Sequence, residues 1–235
     1  MRFILLGCLA TLCSIIPAQD TKDRTPIDTA FVVINGVFNS ELIAPLDILQ
    51  HSIYRKQKTY FRTYIVSPDG KPIKTAEGQT IHADYSFANC PKPQVLVIPS
   101  TQTSMDKDLE PGPYLKWVRK HVKSAAAVIT LCDGAFPLGF TGALDGLNAT
   151  TYPGDQEAFA KKYPKIKVHR DVWFVHHGKY ITSVGGAKSY EPALYLAHLW
   201  FGQDYAQSLA TGLVIDWDLT KIPHKTFGKA PKRPR

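Results

Sequence analysis

Three short, nearly uninterrupted apolar runs most constrain what this chain can fold into: Phe31-Val32-Val33-Ile34, Val95-Leu96-Val97-Ile98 and Ala125 to Thr130. Each stops at a turn signal: Asn35-Gly36, Pro99 and the Cys132-Asp133-Gly134 segment. A strand that alternates buries one face, whereas a continuously apolar strand is buried on both. Between the first two runs, Leu42, Ile43, Leu46, Ile48, Leu49 and Ile53 recur at helical spacing. Between the second and third, Tyr114 to Val122 reads as a second helix. Strands and helices in turn predict an α/β fold with a parallel sheet covered on both faces. The length of 235 residues fits one domain with a full core.

Weaker signals fill in the rest. Tyr60 to Val66 alternates as a strand and Ser67-Pro68-Asp69-Gly70 turns the chain. Ile73–Thr75 with Gln79–His82 reads as a small hairpin. Gly134 to Gly142 reads as a short helix after Cys132. Val172–Val175 and Tyr180–Ser183 form a hairpin, with His176-His177-Gly178 expected as its solvated tip. Ser189 to Phe201 is a strongly apolar helix with Ser189 expected as N-cap.

Residues 1–19 have the form of a secretory signal peptide: Arg2, the apolar run from Phe3 to Ile16, then Pro17-Ala18-Gln19. A retained membrane anchor is the alternative, and Leu5-Leu6-Gly7-Cys8 has the look of a lipobox. The expectation is a secreted or periplasmic domain over residues 27–217, with no membrane span after processing. Removing the signal takes Cys8 and Cys13 with it and leaves Cys90 and Cys132, too few for a disulfide framework or a cysteine-rich zinc site. The formal charge of +8 is concentrated at the end. Within the expected tail, residues 218–235, the stretch from Lys221 to Arg235 holds Lys221, Lys225, Lys229, Lys232, Arg233 and Arg235 and no acid; with Arg2 also set aside the body is near neutral, which argues against nucleic acid as a partner. This segment is expected to be a solvated tail.

Parallel sheets of this kind bind ligands at the carboxyl ends of their strands. That rim gathers Asn35 to Glu41, Ser100 to Thr103 and Cys132 to Gly134. Cys132 follows a strand and precedes a helix, so it is expected to be exposed, with a thiol pKa lowered by the helix N-terminus. The Asp133 N–H is a candidate oxyanion donor, and Gly134 is expected to allow the bend. A small buried cysteine filling space is the other reading. Glu41, in the first turn of the first helix, is a second candidate; its plain alternative is a carboxylate that merely suits the helix dipole. His176-His177 comes with no third ligand at metal spacing, and His169 and His198 add none. Asn148-Ala149-Thr150 fits a glycosylation acceptor, and Gly185-Gly186 reads as close packing before a helix. No phosphate loop or dinucleotide fingerprint is present, so no cofactor is expected.

The run Glu41 to Leu49 resembles the first-helix motif of the ThiJ/PfpI superfamily, and Ile129 to Asp145 resembles its nucleophile elbow. Asn148 to Thr151 and Gly178 to Gly186 match its later strands. This resemblance covers roughly Phe31 to Ile215 and implies a flavodoxin-like fold, akin to class I glutamine amidotransferase domains, often a homodimer. It implies a reactive cysteine beside an acidic residue, places taken here by Cys132 and Glu41. The acid would stabilise the thiolate or relay a proton. Two departures stand out. Many relatives carry histidine where this chain has Tyr152, a poor base near neutral pH. Many carry Gly-Gly where it has Ser100-Thr101, whose N–H groups or hydroxyls are the substitute oxyanion donors.

Two functions follow as expectations. One is a Cys-dependent hydratase or hydrolase acting on a small electrophile, such as an isonitrile, aldehyde adduct or amide. The other is a non-catalytic redox-sensing or ligand-binding module. A transcription-regulator reading is set aside because few residues follow Ile215 for a helix-turn-helix.

Overall fold

The computed structural model describes residues 23–234. The signal segment expected over residues 1–19 lies outside them. In chain order the elements are β1 (Thr25–Val32), α1 (Asn39–Gln50), β2 (Thr59–Ser67), β3 (Ile73–Lys74), β4 (Thr80–Ile81), β5 (Tyr85–Ser86) and β6 (Val95–Ile98). There follow α2 (Pro113–Ser124), β7 (Ala127–Leu131), α3 (Ala135–Phe140), β8 (Asn148–Ala149), α4 (Gln156–Lys162) and β9 (Lys167–Val168). Last come β10 (Phe174–His177), β11 (Tyr180–Ser183), α5 (Tyr190–Phe201), α6 (Gln203–Gly212) and β12 (His224–Phe227).

Eight strands form one sheet in the order β12-β10-β11-β7-β6-β1-β2-β5. Every neighbouring pair is parallel except β10 with β11. The three apolar runs lie at its centre. Phe31 pairs with Val97, which pairs with Ile129, so β1, β6 and β7 end side by side. Their alternate residues feed two cores. Phe31, Val97 and Ile129 pack under α1, α5 and α6 with Leu42, Ile48, Leu194 and Leu209. Ala30, Leu96, Ile98 and Val128 pack under α2, α3 and α4 with Val118, Phe136, Leu138 and Phe159. Burial on both faces is why these strands carry no polar alternation. The expected small hairpin is present as β3 with β4.

Four local expectations are corrected. His176 and His177 belong to strand β10, and the turn lies beyond them, because their pairing with Ile181 and Tyr180 carries the ladder to Gly178. His176 is buried and contacts the Tyr195 hydroxyl at 3.0 Å. Ser189 is helical in its dihedrals and makes no capping bond, because a 3₁₀ turn over Gly186–Lys188 already leads into α5. Gly134 has φ −57°, so it supplies no unusual bend. The basic end is ordered: β12 pairs in parallel with β10, and Trp200 Nε1 donates to the Pro231 carbonyl at 2.8 Å. Arg233 also lies 5.1 Å from the Phe201 ring. An edge strand needs only one partner and tolerates outward lysines, so His-Lys-Thr-Phe carries little strand signal. Helices α4 and α6 are likewise unassigned by the sequence reading; α4 buries little beyond Gln156 and Phe159.

Candidate active site at the end of strand β7

Cys132 lies directly after β7 with φ +51°, a left-handed conformation rare for a residue with a side chain. Such a conformation costs about 1 kcal/mol or more and persists where packing enforces it. Three contacts enforce it here. A Cβ on Gly185 would fall 2.4 Å from the Cys132 Cβ, so only glycine fits against the elbow. A Cβ on Gly134 would fall 2.1 Å from the Ile98 carbonyl oxygen, so this glycine serves close approach to β6. The Thr151 hydroxyl lies 2.9 Å from both the Cys132 carbonyl oxygen and Asp133 Oδ1.

Glu41 enters from the first turn of α1 and is only 4% exposed. Its Oε2 accepts from the Ser100 N–H at 3.0 Å and from the Ser100 hydroxyl. The Gly186 backbone and the Cys132 thiol also favour its ionised form. Burial raises the Glu41 pKa, and these four groups pull against it. The site therefore sets a thiol beside a buried carboxylate.

The expected lowering of the Cys132 pKa is not found. Burial pushes the thiol far up, and the charges of Glu41 and Asp133 push further, against the Ser100 hydroxyl and the Asp133 N–H. A helix terminus is worth about 0.3–1 kcal/mol, too little to offset desolvation beside two carboxyl groups. Cys132 as a whole is only 9% exposed, against the expected exposure.

Asp133 has a second feature that the sequence reading missed. Burial, then the nearby Asp155, raises its carboxyl to about 7. The Thr151 hydroxyl has one proton. When it donates to the Cys132 carbonyl, a protonated Asp133 satisfies its other contact by donating to it. Thr151 and Asp155 both lie near the departure at Tyr152, which was the available signal.

The structure brings together Cys132, Glu41, Ser100 and Asp133. It directs Thr101 elsewhere: its N–H donates to Ser104 Oγ at 2.8 Å and its hydroxyl to Asp108. Ser100 is committed to Glu41. Tyr152 is 48% exposed, and no hydrogen bond of its hydroxyl is seen among the described residues. Cys90 and Cys132 are both free thiols. Among the described residues, no group of three His, Cys, Asp or Glu side chains has the geometry to hold a metal. No helix there is long and apolar enough to cross a membrane. The Asn148 side chain is engaged by His169 at 2.7 Å and His177 at 3.1 Å, so the glycosylation acceptor is locked in the folded chain.

Known proteins are similar to this chain. The isonitrile hydratase of Pseudomonas putida is 25% identical over 181 residues, covering 77% of this chain and 75% of that protein. The HTH-type transcriptional regulator CdhR of Pseudomonas aeruginosa is 24% identical over 155 residues, or 66% of this chain; the match spans 45% of the regulator. The crystal structure of Drosophila melanogaster DJ-1beta superposes with a TM-score of 0.71 at 21% identity, covering 82% of this chain and all of that one. Residues 28–198 match the profile described as the DJ-1/PfpI family. With the parallel sheet, the elbow and this match over most of its length, the chain belongs to the DJ-1/PfpI family.

Proposed function

We propose that this protein is an exported hydratase or hydrolase that attacks a small electrophilic carbon with Cys132, using Glu41 to carry the proton. The observation that carries this reading is the buried Glu41 carboxylate, held by Ser100, beside the Cys132 thiol. A neutral thiol needs its proton removed as it attacks, and a carboxylate beside it is placed to do so. With an isonitrile, Sγ bonds to the terminal carbon while Glu41 takes the thiol proton and passes it to that carbon, giving a thioimidate. Water then adds to the carbon and the C–S bond breaks. The product is an N-substituted formamide, and the thiol is restored. The sum is isonitrile plus water, with no cofactor. The isonitrile hydratase relative supports this substrate class.

The test is formamide production from an alkyl isonitrile, followed by proton NMR. Turnover that disappears in Cys132→Ala, with circular dichroism unchanged, is the expected result. No formamide from the folded wild-type protein sinks the isonitrile reading.

A second reading, a ligand-binding module, is favoured by one observation: the thiol pKa is raised, so the thiolate is scarce near neutral pH. The same fact weighs against peroxide sensing, because the thiolate is the species that peroxide oxidises.

A further inference from the structure

A cavity of about 530 Å³ is lined by residues adjoining those that pack on the elbow. Val184 lines it and is followed by Gly185, the residue packed on Cys132. Gln156 lines it too, and its side-chain amide donates to Thr150 Oγ1 at 3.1 Å, next to the Thr151 that pins the elbow. The size is that of a small-molecule site.

Its chemistry is uneven. Pro153, Val172 and Val184 supply apolar wall. Arg170 and Lys188 supply two cations. The half-buried Lys188 ammonium rests 3.5 Å from the centre of the Trp173 ring, which holds it over the cavity. Among the described residues, neither cation has a carboxylate within ion-pair distance. The acid nearest to Lys188 in sequence, Glu191, accepts from Trp217 Nε1 at 3.0 Å and feels the Lys188 charge without forming an ion pair with it. Asp171 is the one carboxylate in the lining, so the cations outnumber it.

We propose that this cavity is an anion subsite of the Cys132 centre, taking the carboxylate of a small electrophile whose body is apolar. The inference rests on the reading of Cys132 as a nucleophile and adds the substrate's second anchor. A carboxylate bonded by Lys188 and Arg170 gains charge-assisted hydrogen bonds. The apolar body then lies along Val172 and Val184, the second of which precedes the Gly185 that packs on Cys132. Binding energy from this remote group fixes the reacting carbon near the sulfur.

Benzoate and benzamide are the probes, titrated by calorimetry into Cys132→Ala, while an indole NMR signal reports on Trp173. Benzoate is expected to bind about tenfold or more tighter than benzamide, and Lys188→Gln or Arg170→Gln is expected to remove most of that preference. In the wild-type protein, benzoate is expected to slow alkylation of Cys132. Equal binding of the two probes, or benzoate affinity unchanged in both variants, overturns the subsite. Binding that leaves Cys132 alkylation unaffected overturns its link to that centre. Charge-selective binding with protection, in a protein that turns over no isonitrile, keeps the subsite and removes the hydratase reading.

Discussion

The buried Glu41 carboxylate stands beside the Cys132 thiol, where it can take the thiol proton, although its charge raises the pKa of that same thiol. The two effects separate in Glu41→Gln. The neutral amide removes a charge, so the Cys132 pKa falls and alkylation at a fixed alkaline pH speeds up. The amide takes no proton, so turnover drops by about a hundredfold or more. Iodoacetamide kinetics across pH, beside a turnover assay, check both halves; a thiol that becomes harder to ionise contradicts the arrangement.

Asp133 makes the stability of the protein depend on pH. Its pKa rises from 3.8 to about 7 on folding, mainly through burial and then through Asp155. The folded state therefore holds more protons than the unfolded state between these values. Stability from this group is present in acid and is lost as pH climbs from about 4 to about 7. Asp133→Asn removes that slope, so thermal unfolding at pH 5 and pH 8 should differ less in the variant than in the wild type.

Two adjacent glycines answer differently to the same change. Gly185 and Gly186 both have positive φ, but an added Cβ meets Cys132 at the first and nothing within 4 Å at the second. Gly186→Ala should cost about 1 kcal/mol, the backbone penalty alone. Gly185→Ala adds a clash and should cost about 2 kcal/mol or more, with loss of turnover from a displaced thiol. Equal denaturation midpoints for the two variants would count against the close approach.

The basic end should prove structural. Ending the chain after Ile222 removes β12, the Trp200–Pro231 hydrogen bond and the Arg233 contacts with Trp200 and Phe201. A loss on the order of 2 kcal/mol is expected in urea unfolding, together with dequenched or shifted tryptophan fluorescence. A solvated tail would leave both unchanged.

Much of the architecture is legible in particular residues. Val95 to Ile98 and Ala127 to Leu131 are apolar at every position or nearly so, and burial on two faces is the one environment that rewards this. Strand β12 is illegible for the opposite reason: an edge strand is set by whatever lies beside it, here β10. His176 and His177 read as a solvated turn because a hairpin's tip depends on register, and register depends on the partner strand.

The candidate site divides in the same way. Sequence by itself determined that a cysteine follows the third central strand and that an acid opens the first helix, since both are local positions in recognisable elements. Their convergence followed from strand order, because β1, β6 and β7 are neighbours. Only the tertiary structure decided the electrostatics. Whether Cys132 is a thiolate or a thiol turns on burial, on Glu41 across 91 residues of chain and on Asp133 beside it. Only the tertiary structure, too, gave Ser100 to Glu41, Thr101 to Asp108 and Thr151 to the elbow. A pKa and a hydrogen-bond partner are properties of a three-dimensional neighbourhood, and no spacing along a chain specifies one.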